Sequence, residues 1–175
     1  MKKNTPDFLS GGHTRRIKHS GLRLITTFFN LYELPEAKNL LFEIMQYAMK
    51  RRACINRDPV EVLEFCHYVR SFVRGSYLMQ FKTKQWLLDE SSDRPSELLQ
   101  GNLSDEEYHH PFLTFKNAFT AYTLDEFDDF LSEAVYFSLG ACHTLPGNNL
   151  ITPFIHLTKM LDAGKVLLER GIRRR

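Results

Sequence analysis

Few cysteines, no long apolar run, no glycine-rich phosphate loop and no nucleophile elbow set the first limits on this chain. Its three cysteines, Cys54, Cys66 and Cys142, are scattered and form no CxxC pair. That pattern argues against a zinc knuckle or a disulfide scaffold and for a reducing compartment. The opening residues MKKNTPDFLSGGHTRR lack the apolar core of a secretory signal. No uninterrupted apolar stretch approaches the roughly 18 residues that span a bilayer. A soluble, cytoplasmic chain with no membrane partner is therefore expected. Gly164-Lys165 has neither the upstream Gly nor the following Ser or Thr of a P-loop, and no Ser sits in a G-x-S-x-G turn. Nucleotide hydrolysis and α/β-hydrolase chemistry are set aside, and no cofactor is implied.

What is present is ordinary in amount and unusual in order. The 175 residues are 43% hydrophobic and 25% charged, enough to bury a core, and the net charge is only +2. That total conceals blocks. Residues 1–88 carry 15 basic and 7 acidic groups (+8), residues 89–158 carry 2 and 12 (−10), and residues 159–175 carry 6 and 2 (+4). Segregation on this scale points to a polarised surface and a charged partner or a second copy.

Periodicity predicts helices nearly throughout. Residues 1–19 hold only Phe8, Leu9 and Ile17 among Lys, Arg, Gly, Ser and Thr, and read as a flexible basic arm. Helical spacing follows in Leu22, Ile25, Phe28, Phe29 and Tyr32, then from Pro35 through Leu40, Leu41, Ile44, Met45 and Ala48 to Arg52. Asp58 caps a third helix that opens at Pro59 and is expected to weaken at Gly75. Residues 76–88 are the ambiguous stretch, read here as more helix because a lone strand would leave its edges unpaired. Residues 89–103, with DESSDRPS and a Gly, read as the linker between a basic helical half (20–88) and an acidic helical half (104–175) packed together as one globular domain.

Beyond the linker, Ser104 with Glu107 and Thr123 with Glu126 have capping-box spacing. Pro111 separates two segments, Gly140 is a stop, Pro146 to Asn149 make a turn, and Thr152 with Pro153 opens the last helix. The fold class expected is all-α, a bundle of about seven helices. Shifting the chain by 90 residues superposes His19 on His109, Phe29 on Phe119, Tyr32 on Tyr122, Leu34 on Leu124, Glu36 on Glu126, Leu41 on Leu131 and Glu43 on Glu133. If this echo is a duplication, the bundle consists of two three-helix units; two amphipathic helices of similar composition aligning by chance give the same picture.

Candidate chemistry is incomplete at every point. Glu64 with His67 and Glu107 with His110 have the Glu-x-x-His spacing that lets a carboxylate and an imidazole reach one metal from a helix. The lone glutamate that a di-metal bundle needs between the two pairs falls in the linker, as Glu90 or Glu97, and capping acids with surface histidines explain the same residues. Basic residues Arg15, Arg16, Lys18, Arg51, Arg52, Arg57, Arg70, Arg74, Lys82 and Lys84 form a candidate face for a nucleic acid or an acidic partner. Major-groove reading is disfavoured, because the third helix would enter the groove with Asp58, Glu61 and Glu64 leading. Asp125, Asp128, Asp129 and Glu133 form the acidic counterpart, which equally suits the positive end of a helix dipole.

With no catalytic constellation complete, the leading expectation is a non-enzymatic helical adaptor or regulatory module. It would bind a protein partner or its own copy through segregated charged faces. The alternatives are a sequence-independent nucleic-acid accessory protein using the arm and the basic helix ends, and a carboxylate/histidine di-metal protein.

Overall fold

The computed structural model describes residues 14–50, 53–82, 86–88, 101–140 and 149–174. These form seven α-helices: α1 (Thr14–Leu31), α2 (Leu34–Ala48), α3 (Pro59–Met79), α4 (Asp105–His109), α5 (Pro111–Ala121), α6 (Leu124–Ser138) and α7 (Ile151–Arg170). The architecture is the all-α bundle that the periodicity predicts. A 3-10 turn, Gln80–Lys82, prolongs α3. Two three-residue strands, β1 (Trp86–Leu88) and β2 (Ile172–Arg174), pair antiparallel with Trp86 opposite Arg174. Continuous helix over 76–88 therefore holds only to Lys82. The lone-strand objection fails because the C-terminal residues supply the missing edge. Residues 14–19 of the expected arm belong to α1, whereas residues 1–13, the greater part of the 89–103 linker and the turn residues Pro146 to Asn148 lie outside the described residues. No helix among the described residues is long and apolar enough to cross a membrane.

Local chemistry sets most helix limits. Asp58 accepts a 2.8 Å hydrogen bond from the Val60 N–H ahead of Pro59. Both expected capping boxes are closed: the Glu107 N–H donates to Ser104 Oγ while the Ser104 N–H donates to Glu107, and Thr123 and Glu126 do the same for α6. Each satisfies two backbone donors that the first turn would otherwise leave open. Gly140 ends α6 with φ +70°, a conformation that favours glycine. The start of α7 differs from expectation. Leu150 holds the cap position, and Asn149 just before it accepts through its side-chain oxygen from the Ile151 and Thr152 N–H groups, so the helix opens two residues before Pro153.

Gly75 does not weaken α3. It lies within the helix opposite Gly21 of α1, where a Cβ on Gly75 would stand 2.8 Å from the Gly21 carbonyl oxygen. The missing side chains let the two backbones touch, and α1 packs along α3. Farther along the same seam Phe28 meets Phe72 and Phe65, with ring centroids 5.1 and 6.4 Å apart, and Tyr32 meets Phe65 edge to face at 5.2 Å. Full burial of such a ring contributes roughly 1.5–3 kcal/mol. Helix α7 is buried on most sides, through Leu157, Met160, Leu161, Ala163, Val166 and Leu167, and packs on α5 and α2. Contacts of α2 and α3 with α6 complete the join between the basic and acidic halves.

Helices α2 and α6 have limits 90 residues apart, and the buried and exposed positions of 31–48 recur one for one in 121–138. Outside that stretch the halves diverge. Helix α1 has 18 residues against 11 in α5, and Gly21 corresponds to Pro111. A duplication of three-helix units stays an expectation and not a property of the fold.

Candidate functional site

Three of the basic candidates are paired within the chain, two of them with the acidic candidate Asp128. Arg70 of α3 donates to Ser132 Oγ of α6 at 2.7 Å, and its Nε lies 3.5 Å from Asp128 Oδ1. Arg74, one turn on, reaches the other Asp128 oxygen at 3.3 Å. Arg57 is held by Glu43 at 2.7 Å and Glu61 at 3.0 Å. These cations close a seam between helices, and a phosphate backbone would have to compete with carboxylates already in place. Arg15, Arg16 and Lys18 lie in the first two turns of α1 and Lys82 in the 3-10 turn, with side chains outside the described residues, as are Arg51, Arg52 and Lys84 altogether. On the acidic side Asp125 and Asp129 are exposed on α6, and Glu133 is half-buried. Asp129 and Glu133 line, with Glu126 and Tyr122, a pocket of about 300 Å³ between α6 and the start of α7.

The metal candidates are not brought together. Glu64 and His67 are exposed one turn apart on α3, and His110 is exposed where α4 meets α5. Glu107 is buried and fully employed, accepting from Lys159 Nζ at 2.7 Å as well as serving its capping box. Burial alone would raise its pKa. The Lys159 ammonium and the Ser104 N–H and hydroxyl outweigh that and hold the carboxyl below its ordinary range. Among the described residues no group of three His, Cys, Asp or Glu could hold a metal ion. Nor is Cys66 a nucleophile in waiting: burial pushes its thiol up to about 12 against a small opposing pull from Arg70.

A feature that the sequence reading does not anticipate lies between α2 and α7. Asp162, in the middle of α7, is fully buried, with its side chain 0% exposed. Its two carboxylate oxygens accept from Lys38 Nζ of α2 at 2.8 and 3.0 Å, and Oδ2 also accepts from the Asn102 N–H at 2.8 Å. Gly101, at φ +53°, passes so close that a Cβ there would lie 2.6 Å from Asp162 Oδ2. One carboxylate thus ties together α2, α7 and the chain entering α4. Above this clasp opens a cleft of about 530 Å³, walled by Phe42, Phe154 and Ile155 and edged by Asn39, Asn102 and Thr158. The Phe42 and Phe154 rings are 6.4 Å apart. Because Lys38 meets Asp162 while Phe42 meets Phe154, α2 and α7 run antiparallel along the cleft.

No family model, curated protein or solved structure matches this chain. The site is therefore characterised by its own chemistry. Phe42 is 57% exposed and Ile155 48%, with Ile151 exposed one turn before Ile155. The outward stripe of α2, Pro35, Asn39, Phe42, Gln46 and Met49, is exposed at every position and carries no charge. The single cation at the cleft, Lys38, is neutralised by Asp162. The cleft is thus an uncharged, largely apolar, concave face on a chain with 25% charged residues. A sequence signal for it exists: Phe42 falls off the apolar stripe Leu40, Leu41, Ile44, Met45 and Ala48, and Asp162 falls on the apolar side of its helix.

Proposed function

We propose that this chain is a non-enzymatic helical module that binds a protein, either a partner or its own copy, through the uncharged face between α2 and α7. The observation that carries the reading is the cleft, with Phe42 and Ile155 standing about half exposed in its walls and Lys38 neutralised by Asp162 at its edge. Large apolar side chains kept at a concave surface cost solubility unless something covers them. Paired α-helices with a groove between them are a common seat for an amphipathic helix. The segregated charges enter this reading in a supporting role. Arg70, Arg74 and Asp128 join the basic half to the acidic half and leave the partner to be recognised by shape and apolar contact.

The test is selection of displayed amphipathic helical peptides on the full chain, with counter-selection on Phe42→Glu. Peptides that bind the wild type and lose binding to Phe42→Glu and Ile155→Glu support the proposal. Recovery of none, or only of peptides indifferent to both variants, overturns it, provided the far-UV spectrum shows both variants folded.

A further inference from the structure

We infer that one end of the bundle, where the start of α1, the 3-10 turn and the paired strands β1 and β2 come together, binds single-stranded nucleic acid. Its cations take the phosphates, and Phe81 stacks on an unpaired base. The inference goes beyond the docking reading and uses none of its residues. Three stretches of the chain hold no Asp or Glu: residues 8–32, 65–88 and 170–175. Acids resume at Glu33, at Asp89 and, before the last stretch, at Glu169, which Lys165 already holds at 3.1 Å.

Folding brings part of each stretch to the same end. Gly21 of α1 lies against Gly75, Leu78 and Met79 of α3, so the first turns of α1, with Arg15, Arg16, Lys18 and Arg23, stand beside the last turns of α3. The 3-10 turn carrying Lys82 continues α3 there. Trp86 opens β1 four residues later, within about 14 Å of extended chain. Strand β2 then pairs with β1, setting Arg174 opposite Trp86 and Arg173 opposite Leu87. These elements supply cations and no carboxylate of their own. The N-terminal end of α1 is moreover the positive pole of its dipole, so the helix does not neutralise its own cations.

Phe81 adds an aromatic surface to the charge. It is 65% exposed, set edge to face against Tyr77 at 5.4 Å, and Tyr77 is set in the same way against Phe119 at 5.2 Å. A ring anchored to the bundle and open to solvent is a stacking platform, which needs a base that is not already paired. Cations spread over three elements suit an anion that repeats along a chain, and the arginine fork matches phosphate. An acidic protein segment would satisfy the charges and leave the ring without a partner. A bilayer surface would need an apolar stripe, and α1 spends Ile25 and Phe28 on the core. Along α7, sixteen residues, roughly 24 Å of helix, separate Phe154 in the cleft from Arg170 near β2, so the two sites are distinct.

Fluorescence anisotropy of the full chain with a labelled oligothymidylate of about 20 nucleotides tests this. If five or more of the cations are engaged, affinity should fall about a hundredfold between about 50 and 200 mM salt. Replacing Arg173 and Arg174 together by Ala, or Arg15 and Arg16 together by Ala, should weaken binding about tenfold or more and flatten the salt dependence. Phe81→Ala and Phe81→Leu should each cost about five- to tenfold, and Phe81→Trp should not; the far-UV spectrum checks that all are folded. Phe42→Glu should bind the oligonucleotide as wild type does, so this inference and the docking reading fail separately. No binding at about 50 mM salt, or binding that persists unchanged at about 200 mM, overturns the inference. So do Phe81→Leu binding like wild type, a duplex bound as tightly as the single strand, and tighter binding to polyglutamate or to phosphatidylserine vesicles.

Discussion

Replacing Lys38 by Met should be among the most damaging single changes available at a partly exposed position. The Lys38 side chain is 25% exposed and that of Asp162 is 0%. Removing the ammonium leaves a buried carboxylate whose remaining partner is the Asn102 N–H. Breaking a buried pair from one side costs about 3–5 kcal/mol. Partial hydration of Lys38 in the native state argues for the lower end, about 3 kcal/mol. For a domain of this size that corresponds to a fall in Tm of roughly 6–12 °C. Asp162→Asn should cost less, about 1–2 kcal/mol, because an amide oxygen can still accept from Asn102 and the freed ammonium can turn to water. The double variant Lys38→Met, Asp162→Leu removes both charges and should recover most of the loss, since an apolar pair of similar volume often replaces a buried ion pair without penalty. Urea unfolding followed by far-UV circular dichroism on wild type, Lys38→Met, Asp162→Leu and their double variant gives the coupling directly. A Lys38→Met protein within about 0.5 kcal/mol of wild type, or single effects that simply add, would show that the clasp does not hold the three elements together.

Four further outcomes are expected. Gly75→Ala should destabilise by about 1–3 kcal/mol despite the better helix propensity of alanine, because its Cβ meets the Gly21 carbonyl oxygen at 2.8 Å; chemical denaturation decides the sign. Asp128→Ala should cost under about 1 kcal/mol at low salt, and less in high salt, since its bridges to Arg70 and Arg74 are partly exposed. Burial, and then the Lys159 charge, lower the His156 pKa from its ordinary 6.5 against an opposing pull from Glu107. The unfolded chain then binds more protons than the folded one as pH drops below 6.5, so stability falls there, and His156→Gln should flatten the urea midpoint between neutral and mildly acidic pH. Native-state alkylation read by peptide mass spectrometry should modify exposed Cys54 and spare Cys66 until the protein is unfolded; equal labelling would refute the burial of Cys66.

Features decided within a few residues were legible in the sequence. The Ser104/Glu107 and Thr123/Glu126 boxes and the Asp58-Pro59 helix start are closed by bonds spanning two or three residues, and each stands where its spacing places it. Features decided across the chain were not. Gly75 has the local signature of a break, and only Gly21 on another helix turns it into a packing contact. Trp86–Leu88 carries no sign that Ile172–Arg174 will pair with it. The charge blocks were visible, yet block charge along a sequence does not say which groups pair within the chain: folding set Arg70 and Arg74 of the basic half against Asp128 of the acidic half. The cleft went unseen because a Phe off an apolar stripe and an Asp on one are each ordinary until Phe42 and the Lys38–Asp162 pair are placed side by side.

The pairing of β1 with β2 and the grip of Asp162 on Asn102 fix the chain at both ends of the connection between the halves, at Leu88 and at Asn102. Neither anchor depends on the peptide bonds in between. A protease that nicks the backbone between residues 89 and 100 therefore severs the covalent link without touching the contacts of α2 and α3 with α6, or of α2 with α7. The two pieces should leave a sizing column together and separate only in denaturant. Expressed from two genes, they should find each other and rebuild one bundle, which makes this junction the natural place to split the molecule or to insert a reporter.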